Sequence, residues 1–213
     1  MSYKFLELAS TPSVLAAQAA NGSLEMWQRL EDSDRAFDRF TDDEAAFIAA
    51  RDSCYLATVS ETGWPYIQHR GGPAGFLKVL DPTTLAFADF RGNRQYITVG
   101  NIAANDRVAM ILVDYPNRAR LKILAHMEAR DLRTDPALAA RLALPGYKAK
   151  PERALVLHLE TFDWNCPQHI TPRYTVAEIE AATAPLHARI AALEAETAAL
   201  RAAAPAAAAS TPA

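Results

Sequence analysis

The residues with most chemistry to offer lie between Pro65 and Asn101, in the run PYIQHRGGPAGFLKVLDPTTLAFADFRGNRQYITVGN. One extended segment ends in Gln68-His69-Arg70. A later one, Leu85 to Phe90, carries Asp89 at its end and leads into the knot Arg91-Gly92-Asn93-Arg94-Gln95. Tyr96, Ile97 and Val99 follow at roughly helical spacing. Arginines beside a glycine and an asparagine at a strand-to-helix junction outline an anion site. A helix start offers free amides and partial positive charge, and Arg94 can clamp a phosphate through two N–H donors. A solvated basic turn reads equally well from spacing alone. The histidines His69, His126, His158, His169 and His187 show no HxxxH or HExxH spacing, and Cys54 and Cys166 show no metal-ligand spacing. Zinc and haem therefore lack support, and no metal site is expected. No nucleophile–base pair is evident either, which leaves the catalytic residues unassigned.

The elements that must position these residues are short strands broken by turns. Residues 53–60 alternate as a half-buried strand, and Glu61-Thr62-Gly63-Trp64-Pro65 is a hairpin loop. Gly71, Gly72, Pro73 and Gly75 break the strand after Arg70. Phe76 to Leu80 and Leu85 to Phe90 are apolar runs separated by the turn signal Asp81-Pro82. Val108 to Val113 is continuously apolar, which predicts a strand buried on both faces. Leu121 to Glu128 returns after the turn at Tyr115-Pro116-Asn117-Arg118, and Ala154 to Phe162 is the last strand. Asp135-Pro136 starts a short helix reaching about Leu144. The pattern favours a β-barrel core with helical additions.

Helices flank this core. Thr11-Pro12-Ser13 starts one that Asn21-Gly22 ends. Leu24, Trp27, Leu30 and Phe37 give a second amphipathic pattern, and Thr41-Asp42-Asp43-Glu44 is a capping box opening a third. From Val176, apolar residues step by three and four through Ile179, Thr183, Leu186, Ile190, Leu193, Thr197 and Leu200, a heptad seam interrupted by Pro185. A helix packed on its own barrel and an intersubunit helix both fit that seam. The expected organisation is an N-terminal helical arm (1–50), a barrel domain (51–173), a C-terminal helix (174–203) and a disordered tail (204–213).

Three segments in order carry a resemblance to a known family. SCYLATVSETGWPYIQHR resembles the opening hairpin of the pyridoxamine 5'-phosphate oxidase-like FMN-binding split barrels. LAFADFRGNRQYITVGNIAANDRVAMILVD resembles their phosphate-binding block, and RLKILAHMEA the strand that follows. The resemblance implies a mainly β fold with α additions: a split β-barrel of Greek-key type with N-terminal helices and a long C-terminal helix. It implies FMN as cofactor, a homodimer with the flavin at the interface, and oxidoreductase activity on a small molecule. Gln68, His69 and Arg70 would lie along the flavin ring or ribityl chain, with Asp89 and Phe90 beside them. Asn93, Arg94 and Gln95 would hold the phosphate, and Arg120 would contact the ring. Trp164, Gln168 and Arg173 would close the site from the second subunit. Two departures stand out. The family's Ser-Arg-Lys phosphate knot is here Asn93-Arg94-Gln95, with Arg70 and Arg91 available to supply charge. The C-terminal substrate signature of the authentic oxidases is replaced by Cys166-Pro167-Gln168-His169-Ile170-Thr171-Pro172-Arg173. A non-catalytic flavin-binding or sensing module and a deazaflavin-dependent reductase remain open alternatives.

Composition narrows the field. Over 213 residues the net charge is −3, which argues against nucleic acid as a partner. No apolar run is long enough to span a bilayer, so no membrane partner is expected. MSYKFLELAS lacks a signal-peptide core, so a cytoplasmic, reduced protein is expected. There is no GxGxxG after a strand, so NADH or NADPH would act only as a transient reductant beside a flavin.

Overall fold

The computed structural model describes residues 3–31 and 36–208. Seven antiparallel strands form one sheet: β1 (Ser53–Val59), β2 (Pro65–Gly71), β3 (Lys78–Asp81), β4 (Thr84–Phe90), β5 (Arg107–Asp114), β6 (Ala119–Arg130) and β7 (Pro151–Asn165). Their spatial order is β2-β1-β5-β6-β7-β4-β3. Side chains alternate across each strand, and the inward set forms one apolar cluster. Leu56 of β1 and Leu112 of β5 share it with Leu85 of β4 and Leu155 of β7. Strands far apart in the order thus bury side chains in a common core, because the sheet curls around it. The fold is the split β-barrel with helical additions that the sequence predicts.

Helices complete the structure: α1 (Lys4–Ala9), α2 (Pro12–Ala20), α3 (Leu24–Glu31), α4 (Asp42–Ala49), α5 (Ile97–Ala104), α6 (Pro136–Leu142) and α7 (Val176–Ala208). The capping box of α4 forms as its sequence predicts, with the Thr41 N–H and hydroxyl both donating to Glu44, at 2.9 and 2.6 Å. Ile48 of α4 is buried in the main core. Asp135 caps α6 by accepting from the Leu138 N–H at 2.9 Å. Leu138 and Leu142 of α6 cover a second cluster on Ala86, Ala88, Ala154 and Val156. The alanines let that helix sit close to the sheet.

Three expectations need correction. The Val108–Val113 strand is buried on one face only: Val108, Met110 and Leu112 are buried, while Ala109 is exposed and Ile111 and Val113 are half-buried. A continuous apolar run reads as two-sided burial, but here its outer half faces away from the core. The strand expected from Phe76 begins at Lys78; Phe76 and Leu77 enter the core ahead of it. Phe37 lies outside the second amphipathic helix. Its ring packs edge-on against Phe162 at 5.5 Å, and its φ is +56°. The Leu30 side chain and tail residues 209–213 lie outside the described residues.

The chain divides into two compact units, Met1–Ile170 and Thr171–Ala213. The second holds α7, which starts with its own capping box: the Thr175 N–H and hydroxyl donate to Glu178 at 2.7 and 2.8 Å. Among the described residues no helix is long and apolar enough to cross a membrane.

Candidate functional site

Period-two geometry on β2 sorts the first candidates. Tyr66, Gln68 and Arg70 are half-buried on the inner face, while Ile67 and His69 are exposed on the outer one. In register, Arg70 stands opposite Cys54 and Gln68 opposite Leu56. β2 is an edge strand, so its inner face is open to one side. The Cys54 thiol beneath it is buried and pushed up to about 12, with Arg70 only partly opposing that shift. Cys54 is therefore an inert packing residue.

Asp89 lies at the end of β4 with its side chain almost fully buried. Arg70 Nη1 approaches its carboxylate at 2.6 Å and Arg153 Nε at 3.4 Å. Burial pushes the Asp89 carboxyl up, and the two guanidiniums pull against it. Arg153 arrives from β7, directly opposite Asp89 in the strand register. The network continues outward: Arg153 pairs with Glu152 at 3.2 Å, and Glu152 with Arg91 at 3.7 Å. The Tyr96 ring covers it, with the Arg153 guanidinium 4.9 Å from the ring centroid.

Beyond β4 the chain turns through residues 91–96 into α5. Asn93 holds this turn by accepting from the Gln95 N–H at 3.1 Å. Arg94 and Tyr96 have φ of +63° and +53°, a left-handed conformation that costs energy in non-glycine residues. Such strain clusters at functional sites. Behind the turn, Asn101 of α5 donates to the Thr58 hydroxyl at 2.9 Å in a buried contact. This bond ties the helix to β1, and its first residues line the same cleft as the inner face of β2.

Between these walls lies a cleft of about 190 Å³. Tyr66, Gln68 and Arg70 form one side, Asp89 and Phe90 the floor, and residues 92–99 with Glu152 the other side. Seven of the twelve residues expected at a cofactor site are thereby brought together: Gln68, Arg70, Asp89, Phe90, Asn93, Arg94 and Gln95. The other five lie elsewhere. His69 points to the outer face, its ring edge-on to Tyr55 at 5.5 Å. Arg120 sits on β6 between Val113 and Asn165 in register. Trp164 donates its indole N–H to the buried carboxylate of Glu44 at 2.8 Å and packs edge-on against Phe47 at 4.7 Å. Gln168 is exposed just after β7, and Arg173 belongs to the second compact unit. Sequence reasoning missed Tyr66, Tyr96, Thr98, Glu152 and Arg153. The alternation through Gln68 and Arg70 points back to Tyr66. Glu152 reaches the cleft, and Arg153 the Asp89 carboxylate behind it, only through β4–β7 pairing, which leaves no local signal.

The cleft offers the donor set a phosphate-bearing ligand needs. The first amides of α5 have no partner within the helix. Arg94 is exposed and makes no ion pair among the described residues. Arg70 Nε is buried without a hydrogen-bond partner. A larger hollow of about 700 Å³ between α6 and the β4–β7 pair shares Phe90 and Glu152 with the cleft. It lacks a helix N-terminus, so the arrangement able to donate to a phosphate is that of the smaller cleft. Among the described residues no group of three His, Cys, Asp or Glu side chains is arranged to hold a metal ion.

No curated protein matches the sequence. Among solved structures, a candidate pyridoxamine 5'-phosphate oxidase from Lactobacillus delbrueckii is 23% identical, with 59% of this chain and 94% of that one covered and a TM-score of 0.45. An FMN-binding protein from Syntrophomonas wolfei is 16% identical over 70% of this chain and 97% of that one, at a TM-score of 0.44. An F420 reductase is 23% identical over 55% of this chain and 93% of its own, at 0.37. The family described as pyridoxamine 5'-phosphate oxidase matches residues 40–162, which span α4, the whole cleft and six of the seven strands entirely. With more than half of its length matched, the chain belongs to the pyridoxamine 5'-phosphate oxidase family.

Proposed function

We propose that this chain binds FMN in the cleft between β2 and residues 91–99, as a homodimer, and acts as an oxidoreductase on a small molecule. The observation that carries the proposal is the meeting of the unpaired Arg94 guanidinium with the N-terminus of α5 at one wall of the cleft. Arg94 and the α5 amides would hold the phosphate, with Gln95 beside them, while Asn93 keeps the turn in shape. Gln68 and Tyr66 would face the ribityl chain, and Arg70 would be fixed by Asp89 against the ring. Bound flavin supplies the electron-transfer chemistry. The protein's own part is to hold the flavin, orient it and exclude water from one side. In the homodimer, Arg120, Trp164, Gln168 and Arg173 would reach the partner's flavin, with His69 on the outer face near the subunit boundary. Glu44 would then act as the holder of Trp164. NADH or NADPH would serve as a transient reductant. The cytoplasm suits two cysteines that form no disulfide with each other.

The test is a titration of apo-protein with FMN and with a deazaflavin, followed by anaerobic addition of NADPH. Tight FMN binding with bleaching on reduction is the expected result. Binding without reduction by any donor would make the protein a flavin-holding module. Selective binding of the deazaflavin would replace the cofactor.

A further inference from the structure

The apolar seam of α7 carries an inference independent of the flavin cleft. Assigning Val176 to heptad position a places Val176, Thr183, Ile190 and Thr197 at a, all β-branched. It places Ile179, Leu186, Leu193 and Leu200 at d, three of them leucine. β-Branched a and leucine d positions favour two parallel strands. The seam is exposed in the single chain: Ile179, Leu186, Ile190, Leu193 and Leu200 all count among its exposed large apolar residues. The two threonines do not spoil the seam. Thr183 donates its hydroxyl to the Ile179 carbonyl at 2.8 Å, and Thr197 to the Leu193 carbonyl at 2.7 Å. Each hydroxyl is satisfied within its own helix, so burying the residue leaves no polar group unpaired. Pro185 falls at c, away from the seam, and the helix runs through it.

The flanking charges select the partner and its direction. Arg189 and Glu196 fall at g, and Glu194 and Arg201 at e. In a parallel pair each g residue meets the e residue of the next heptad on the other helix. That places Arg189 against Glu194 and Glu196 against Arg201, both attractive, and the twofold axis repeats each pair. None of these four side chains makes an ion pair within its own chain among the described residues.

We infer that α7 forms a parallel, in-register two-stranded coiled coil with α7 of a second copy of this chain, held by the Val176–Leu200 seam and by the Arg189–Glu194 and Glu196–Arg201 pairs across it. A parallel pair is twofold symmetric and closes at two chains.

Site-directed cross-linking of the full-length chain tests this. Every variant carries Cys166→Ser to remove the exposed native thiol. Leu193→Cys, at d, brings two thiols within disulfide reach only when the helices are parallel and in register. Ala195→Cys, at f, points outward. In a glutathione redox buffer, Leu193→Cys should give about tenfold more covalent dimer than Ala195→Cys, through its higher effective concentration. Adding Arg189→Glu to Leu193→Cys should lower that yield, and adding Glu194→Arg as well should restore it. Equal yields at 193 and 195, or failure of the charge swap to restore what Arg189→Glu removes, would overturn the parallel pairing. Both positions are exposed, so unchanged circular dichroism serves as the control for folding.

Discussion

At the scale of the residue, Arg94 decides between a phosphate site and a solvated turn. Its left-handed backbone and its exposed guanidinium have no explanation in packing. A hydrogen-bonded contact to a charged group contributes about 1.5–3 kcal/mol. Arg94→Ala should therefore weaken FMN binding by about one to two powers of ten. Riboflavin lacks the phosphate, so its affinity should change far less. The fold should persist, because Arg94 lies outside the core. Titrating wild-type and variant apo-protein with both ligands checks this; equal losses for the two would remove Arg94 from the phosphate site. Gly72 is a residue-scale constraint of another kind. A Cβ there would lie 2.8 Å from Phe76 Cβ, an atom fixed to the backbone of a buried core residue. Gly72→Ala should lower stability by about 1–3 kcal/mol through overpacking, read as a fall in the urea midpoint at constant m-value.

At the scale of the element, the sheet and its helices are joined by polar clamps placed at their ends. Arg51, just after α4, pairs with Asp114 at the end of β5 at 2.7 Å, and Asn117 donates its backbone N–H to the same carboxylate at 3.0 Å. Burial works against ionisation of Asp114, but the Asn117 donors and Arg51 outweigh it and hold the carboxyl below the ordinary carboxylate range. A depressed carboxylate contributes stability that is present above its unfolded value, about 3.9, and is lost as pH falls through the lower folded value. Asp114→Asn should therefore destabilise the protein at pH 7 and flatten this part of its acid limb below about pH 4. Urea unfolding of both forms between pH 7 and pH 3 would show it; parallel pH profiles would remove Asp114 from the acid response. The Asn101–Thr58 bond plays the matching part for α5, since it ties that helix to β1.

At the scale of the whole molecule, the proposed site and the proposed α7 pairing would each bring in a second chain. The expected mass in solution is about 46 kDa, twice the 23.2 kDa of one chain. Light scattering that found a monomer holding stoichiometric flavin would remove the homodimer. Deleting residues from Tyr174 onward should raise the dimer dissociation constant if α7 pairs with α7. The segment from Cys166 to Arg173 bears on the reaction. With the substrate signature of the authentic oxidases absent there, pyridoxamine phosphate should release peroxide only slowly. Turnover at the rates of a dedicated oxidase would assign this chain to that reaction.

The sequence alone determined what depends on near neighbours. The capping box fixed the start of α4, and the glycine and asparagine of the 91–96 knot marked the turn into α5. Those local rules mark the 91–95 knot as a candidate anion site; placing Gln68, His69, Arg70 and Asp89 beside it came from the family resemblance. Only the tertiary fold decided which of the candidates meet. His69 went to the outer face because it sits one step from Gln68 on an alternating strand. Trp164 had its indole N–H taken by Glu44, 120 residues earlier in the chain. Glu152 joined the cleft, and Arg153 came beside Asp89, because β7 pairs with β4, a register set by the shared core and not by their own neighbours. Within the N-terminal arm that reads as helical, α1 has no start signal of its own. It has no side-chain cap, and its anchors are long-range: Tyr3 to Asp163, and Lys4 to Glu160 at 2.9 Å. Local propensity acts over a few residues, whereas a cleft between strands is assembled by side chains that only the buried core brings into register.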